Sequence, residues 1–285
     1  MTSPIRSAAF AAALALAPMA ALPAPAQASS LAGGDAPIFS VAETAGFAKS
    51  VEKILAARGA RVALVSRLGR DPDELPAGID YTHVGLWVYS EITTADGRKI
   101  PGYAVFNLYR SNEDPDHSSL VQDYPLDFFA EVFVQRAGVI IPTPEMQARL
   151  ARVIASPSYA RLHDPHYSLL ANPLRDNYQN CTGFVLEVTM AAIYGIDDRR
   201  QIRANIDAYF EPTVVDIDPL RRLFGPLFVA GVHTDDQGRD ITTATFGSLA
   251  QFYETYGLAE AVFEVTPAGI TGRPASAPAR RAAAD

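Results

Sequence analysis

The chain contains one cysteine, Cys181, and the residues around it favour a role as a nucleophile. Asn180 is a good helix N-cap, and residues 181–194 are predicted to form a helix that ends at Gly195. Backbone N–H groups and the positive end of the helix dipole then face the sulfur, an environment that favours the thiolate. The same N–H groups could hold the oxyanion of a tetrahedral intermediate. The alternative interpretation is a small buried core residue, which is the usual fate of a free cysteine.

A thiol nucleophile needs a base, and His83 lies inside a predicted strand, residues 81–89. Strand alternation puts His83, Gly85 and Trp87 on one face of that strand. A glycine inside a strand indicates that something approaches it closely, and the N-terminus of a docked helix would be one reason. A hydrogen-bonded core histidine is the alternative.

The base in turn needs a partner for its second ring nitrogen, and Asn107 is the candidate. It is a polar residue in the otherwise apolar predicted strand of residues 103–109. A buried asparagine without a hydrogen bond costs about 1–3 kcal/mol, and the ring of His83 would satisfy it. A hairpin centred on Asp96-Gly97 places the two side chains on opposite faces, so a bulge or a longer loop near residues 100–102 is expected.

Other polar residues of the chain could also carry a function. Tyr178 and Gln179 lie shortly before the nucleophile, and either could add a donor to the oxyanion hole or only complete the loop. His163 and His166 flank an Asp-Pro pair, a weak pattern for metal binding that is also typical of solvated loops. We therefore predict no metal site and no cofactor.

The elements that must position these residues are predicted to form an α+β fold, an antiparallel sheet packed on helices. Residues 122–135 are ambiguous between helix and strand. The predicted helices are residues 41–58, 144–155, 180–194, 198–209 and 248–256, and the predicted strands are residues 61–68, 81–89, 103–109, 241–246 and 260–265.

Both ends of the chain are expected to lie outside the folded domains. Residues 1–28 have the charged start, short apolar run and small-x-small end of a secretory signal peptide, with cleavage expected after Ala28. Export to the periplasm follows, without stable membrane insertion once the signal is removed. Residues 268–285 are rich in Ala, Pro and Arg, which predicts a disordered tail. Between these ends we expect a catalytic domain, residues 29–199, and a C-terminal α/β appendage, residues 200–267.

Composition excludes several classes of protein. The chain has 285 residues with 48% hydrophobic content, enough for a sizeable core and too much for a chain disordered throughout. The net charge of −8 argues against nucleic acid as a partner. A single cysteine excludes an internal disulfide.

Two short strings resemble the motifs of a known superfamily. Residues 180–185, NCTGFV, are similar to the D-C-S-G-F-V nucleophile motif of NlpC/P60 cysteine peptidases, and residues 81–85, YTHVG, resemble the histidine strand of the same proteins. The histidine precedes the cysteine here, an order that matches the circularly permuted branch of this papain-like superfamily, which includes the lecithin:retinol acyltransferase-like enzymes. In that branch the strand after the histidine carries a polar third residue, and Asn107 falls there. Asn180 stands where the peptidases usually have Asp.

The whole chain also resembles the DUF2145 group of exported bacterial proteins. Together the two resemblances imply a permuted papain-like fold and a periplasmic cysteine hydrolase, an amidase, peptidase or thioesterase, with Cys181, His83 and Asn107 as its catalytic residues. The substrate would be a small molecule or peptide of the cell envelope. A non-catalytic exported binding or assembly protein on the same fold, or an acyltransferase, are the alternatives.

Overall fold

The fold is described here from a computed structural model, over residues 37–94, 96–216 and 230–272. The predicted signal peptide, residues 1–28, lies outside the described residues, as do residues 273–285 of the predicted tail. No helix within the described ranges has the length and apolar character needed to cross a membrane.

The described residues form a mixed α+β fold in which helix starts coincide with local capping signals. Ser40 caps the first helix in a capping box with Glu43, and Thr143 and Asp198 cap later helices through their side chains. The helices are α1 (Val41–Ala57), α2 (Pro125–Phe128), α3 (Pro144–Ile154), α4 (Pro157–Arg161), α5 (Cys181–Tyr194), α6 (Arg199–Tyr209) and α7 (Phe246–Thr255).

Seven of the described strands form one sheet in the order β4-β3-β2-β1-β5-β8-β9, with every neighbouring pair antiparallel. Strands β6 and β7 pair separately. The strands are β1 (Val62–Leu68), β2 (His83–Thr93), β3 (Lys99–Arg110), β4 (Ser118–Asp123), β5 (Val134–Pro142), β6 (Thr213–Val215), β7 (Ile241–Thr243), β8 (Ala259–Thr266) and β9 (Gly269–Gly272).

The two faces of the sheet carry separate hydrophobic cores because side chains alternate along each strand. Val84 and Leu86 of β2 belong to the core that also contains residues of α3, α5, α6 and α7. Trp87 belongs to the opposite core, with residues of α1 and α2. The predicted division of β2 into two faces is therefore what the structure has.

The C-terminal third of the chain is built into this fold and does not form an appendage. Strand β8 pairs with β5 inside the main sheet, and Ile202, Phe210 and Leu249 share one core with residues of the first 200. The expected boundary at residue 200 thus runs through continuous packing. Likewise, residues 269–272 of the expected tail form the edge strand β9.

The β2–β3 hairpin has a register that removes the need for a bulge. Leu86 pairs with Phe106 and Thr93 with Lys99, without interruption between them. Gly97 closes the turn with a positive φ of 81°, the conformation that favours glycine. This register differs by one residue from the predicted one, and it puts Asn107 opposite Gly85 on the same face as His83.

Candidate active site

Cys181 is the first residue of α5, as its sequence predicts. The Asn180 side chain accepts a hydrogen bond from the Gly183 backbone N–H at 2.8 Å, which is the N-cap interaction. The other end of the same amide donates to the Leu169 carbonyl at 3.0 Å and to Thr243 Oγ1 at 3.2 Å. The start of the helix is therefore fixed to two other parts of the chain, and the position of the sulfur is fixed with it.

The thiol lies in a buried, polar niche. Cys181 is only 7% exposed, and its sulfur accepts hydrogen bonds from the Val84 and Thr182 backbones, with Thr182 Oγ1 at 3.8 Å. These donors stabilise the thiolate, but burial outweighs them and raises the pKa of Cys181 above its ordinary value. The resting residue is a neutral thiol, so the expectation of a favoured thiolate is wrong: the loss of water exceeds the effect of the helix N-terminus.

His83 begins β2 and is held as a neutral imidazole. It is 1% exposed, its ring stacks on Tyr109 at 4.7 Å between centroids, and it lies 5.5 Å from the ring of Phe128. Burial and the positive charge of Arg67 lower the pKa of His83 to about 3, against the opposing effect of its hydrogen bond to Asn107. A neutral histidine can accept a proton, which is the state that a general base requires.

The structure brings His83 and Asn107 together. Nε2 of His83 lies 2.9 Å from Oδ1 of Asn107, and both residues are 1% exposed. An alanine Cβ at position 85 would lie 2.5 Å from that same Oδ1 and 3.1 Å from Phe128. The glycine that the sequence marks as a place of close approach therefore makes room for an amide and a phenyl ring, and not for a helix N-terminus.

This contact determines the tautomer of the imidazole. The amide oxygen of Asn107 can only accept, so Nε2 of His83 carries the proton and Nδ1 carries the lone pair. Among the described residues, Nδ1 of His83 has no hydrogen-bond partner. The Nδ1 lone pair is thus directed away from Asn107, and none of the described donors, the Cys181 thiol included, is hydrogen-bonded to it.

The Cys181 thiol and the His83 imidazole are not hydrogen-bonded to each other. The sulfur contacts the backbone N–H of Val84, the residue that directly follows His83. Helix α5 packs on the sheet face that carries Val84, whereas the imidazole packs among aromatic rings of the other face. The sulfur therefore lies beside the peptide group that joins His83 to Val84, while the imidazole extends into the opposite core.

The two residues proposed for the oxyanion hole are engaged elsewhere. Gln179 accepts from the Asp164 backbone N–H and donates to the Leu162 carbonyl, both at 2.9 Å. The hydroxyl of Tyr178 donates to Asp235 at 2.9 Å, and its ring stacks on His233. Both side chains hold the loops next to the helix, so the alternative interpretation, loop completion, describes their contacts.

Two residues that the sequence did not single out complete the surroundings of the imidazole. Asp123 at the end of β4 accepts from Nδ2 of Asn107 at 2.8 Å and from the Tyr109 hydroxyl at 2.9 Å. The sequence holds one local indication of this arrangement: Tyr109 follows Asn107 by two residues and so lies on the same face of the strand. The pairing of β3 with β4 brings in Asp123, and that strand lay partly within the ambiguous segment.

The remaining histidines are each paired with a neighbour. His166 contacts Asp164 and His117 contacts Asp114, both at 2.8 Å. His163 lies 3.0 Å from Ser118 Oγ. No group of three or more His, Cys, Asp or Glu side chains suited to a metal ion occurs within the described ranges.

Comparison with known proteins gives a family for the chain. No curated protein and no solved structure matches it. The model of a family described as "Uncharacterized protein conserved in bacteria (DUF2145)" matches residues 54–253, from the end of α1 into α7, and this range includes all of the residues just described. The chain belongs to the DUF2145 family.

Proposed function

We propose that this protein is a cysteine hydrolase of permuted papain-like architecture, with Cys181 as nucleophile, His83 as base and Asn107 as the residue that orients the base. The observation that carries the proposal is the 2.9 Å contact between Nε2 of His83 and Asn107, which leaves a buried Nδ1 lone pair that no described residue hydrogen-bonds. The sulfur of Cys181 contacts the backbone N–H of Val84, the residue that directly follows His83 in β2. A thiol, a base and an orienting amide are the groups that cysteine-based acyl transfer requires.

The chemistry that these residues support begins with transfer of the thiol proton to Nδ1 of His83. The sulfur forms a bond to the carbonyl carbon of the substrate, and the carbonyl π electrons move to oxygen. Collapse of this intermediate breaks the bond to the leaving group, which takes the proton from His83. Water, deprotonated by the same nitrogen, then attacks the acyl-enzyme, and the thiol is restored.

The backbone N–H of Cys181 is the proposed oxyanion donor, because the first N–H groups of a helix have no partner within that helix. In contrast, the Thr182 N–H contacts the sulfur and the Gly183 N–H contacts the Asn180 cap. Because this N–H group belongs to the residue that carries the sulfur, it would stabilise the negative charge that forms on the oxygen of the attacked carbonyl.

The resting site is closed, so we propose that the thiol engages Nδ1 only when substrate binds. Cys181 and His83 are both almost fully buried. Catalytic hydrogen bonds are often long or misaligned before substrate is present. Burial lowers the pKa of His83 and raises the pKa of Cys181, so both groups rest neutral, and proton transfer between them requires that substrate binding change the surroundings of both.

We propose substrates of the cell envelope, an amide, peptide or thioester, reached by export of the chain through the signal peptide ending at Ala28. Support comes from the apolar run and small-x-small site of residues 1–28. The net charge of −8 also makes polyanionic partners such as nucleic acid unfavourable.

Mass spectrometry of the protein incubated with p-nitrophenyl acetate tests the proposal. We expect a covalent acetyl adduct on Cys181 in the wild type, release of p-nitrophenol, and loss of both in Cys181→Ala and His83→Gln. Equal turnover by Cys181→Ala would refute the mechanism.

One observation favours a second candidate function, a non-catalytic binding or assembly protein. Burial raises the pKa of Cys181, which is typical of an inert core thiol. A folded wild-type protein that forms no adduct with any acyl donor would support this candidate. An adduct that passes to an added amine or alcohol faster than to water would instead indicate an acyltransferase.

A further inference from the structure

Asp123 contacts the two residues that hold the imidazole of His83. Its Oδ1 accepts from Nδ2 of Asn107 at 2.8 Å, and its Oδ2 accepts from the Tyr109 hydroxyl at 2.9 Å. Asn107 in turn contacts Nε2 of His83 at 2.9 Å, and the Tyr109 ring stacks on the imidazole at an interplanar angle of 18°. These contacts join the four side chains in a ring, in which the carboxyl group of Asp123 lies opposite the imidazole of His83.

We propose that Asp123 is a positioning residue that selects the reactive tautomer of His83 by fixing the orientation of the Asn107 amide. This inference rests on the proposed function for its catalytic meaning. The tautomer itself is a property of the folded protein, and it can be measured without any substrate.

The selection follows from the two ends of the amide group. With Nδ2 of Asn107 donating to Asp123, Oδ1 faces His83 and accepts from Nε2–H, so that Nδ1 is the free base. A reversed amide would present N–H groups to Nε2, which would then have to carry the lone pair. Nδ1 would carry the proton and could not accept one from the thiol. Among the described residues, Nδ2 of Asn107 has two acceptors, Asp123 at 2.8 Å and the Val105 carbonyl at 3.4 Å, and the shorter bond to Asp123 is the stronger restraint on the orientation of the amide.

Asp123 also restrains the imidazole of His83 through Tyr109. Its hydroxyl is satisfied by Asp123, and its ring is buried against the imidazole. Loss of the carboxyl group would leave a buried hydroxyl without this acceptor, and the ring that limits rotation of the imidazole would be free to shift. One side chain thus controls both the hydrogen bond and the stacking contact of the base.

The charges around Asp123 come from four neighbouring elements. Burial and the carboxylate of Asp127 in α2 disfavour its ionised form, whereas Tyr109, Arg67 in β1 and the Asn107 amide favour it. Burial and the negative charge of Asp123 both raise the pKa of Tyr159 in α4. Burial raises the pKa of Asp123 to about 7. Both the carboxyl and the carboxylate retain an oxygen that accepts from Asn107, so the positioning holds on either side of neutral pH.

Nitrogen NMR of protein with ¹⁵N-labelled histidine measures the tautomer directly, and His83→Gln identifies the His83 signals. We expect wild-type His83 to be protonated at Nε2. In Asp123→Leu we expect the ratio of the two tautomers to shift roughly fivefold or more toward Nδ1–H, the equivalent of one hydrogen bond. In Asp123→Asn, whose oxygen can still accept from Asn107, the wild-type tautomer should be largely retained.

Asp127→Asn is the matched control, because it removes a neighbouring carboxylate that contacts the Tyr124 backbone and not Asn107. Its His83 signals should match those of the wild type. If Asp123→Leu is folded and keeps the wild-type tautomer, the inference is overturned. If Asp123→Leu does not fold, Asp123→Ala, which also removes the acceptor for Nδ2 of Asn107 but adds no bulk, takes its place, and an unchanged tautomer there overturns the inference too. Absence of acyl-enzyme in the wild type would refute the hydrolase but leave the tautomer result standing.

Discussion

Replacing Gly85 with alanine should separate the two halves of the candidate site. The added Cβ would lie 2.5 Å from Oδ1 of Asn107, 3.1 Å from Phe128 and 3.2 Å from Val105. Ordinary contact needs about 3.5 Å, so the amide must retreat by about 1 Å. That movement stretches a 2.9 Å hydrogen bond to His83 beyond its useful range. We expect a loss of about 1–3 kcal/mol in the free energy of unfolding from the forced repacking.

Urea denaturation followed by tryptophan fluorescence measures this loss, since Trp87 is in the same core as Phe128. Gly46→Ala is the control, and we expect it to raise the free energy of unfolding instead of lowering it. An alanine Cβ at position 46, inside α1, meets nothing within 4 Å. Because alanine is the better helix former, that variant should gain roughly 0.5–1 kcal/mol.

A Gly85→Ala variant within about 0.5 kcal/mol of the wild type would refute the reasoning, since surface changes without consequence fall in that range. It would mean that the amide and the phenyl ring can move without cost, and that the 2.9 Å contact with His83 is not held by close packing.

Three further predictions test the electrostatics of the fold. Glu187→Leu should cost about 3–5 kcal/mol, because it removes the buried carboxylate 2.7 Å from Arg203 and leaves that guanidinium only the exposed Asp176, at 3.8 Å, as a charge partner. Glu145→Ala, at an exposed ion pair, should cost less than about 1 kcal/mol in the same denaturation assay. Iodoacetamide should alkylate Cys181 more slowly in the folded than in the urea-unfolded chain at pH 7, because burial raises the pKa of Cys181; an equal or faster rate in the folded chain would contradict this. Burial raises the pKa of Asp123 to about 7 in the folded chain, above its unfolded value of about 3.9, so folding takes up a proton between these values. Stability should fall as the pH rises from about 4 to about 7, and Asp123→Asn should flatten that slope in pH-dependent thermal melts.

Local signals in the sequence were sufficient for the elements that carry the candidate site. The Asn180 cap and the Gly195 stop bracket α5 because capping depends on residues adjacent in the chain. Alternation along β2 assigned His83 and Gly85 to one face, since the geometry of a single strand fixes that relation. The reason for the glycine, a neighbouring amide, was not readable because it belongs to another strand.

Tertiary structure decided what depends on distant residues. The apolar run at residues 138–141 is a central strand, β5, only because β1 and β8 pair on either side of it, and these contacts are far apart in sequence. Pairing with β5 drew β8 into the main sheet, and pairing of β4 with β3 brought Asp123 beside Asn107. The protonation of Cys181 was decided in the same way: the sequence determines the helix dipole, but the extent of burial depends on everything packed around the sulfur, and burial has the larger effect.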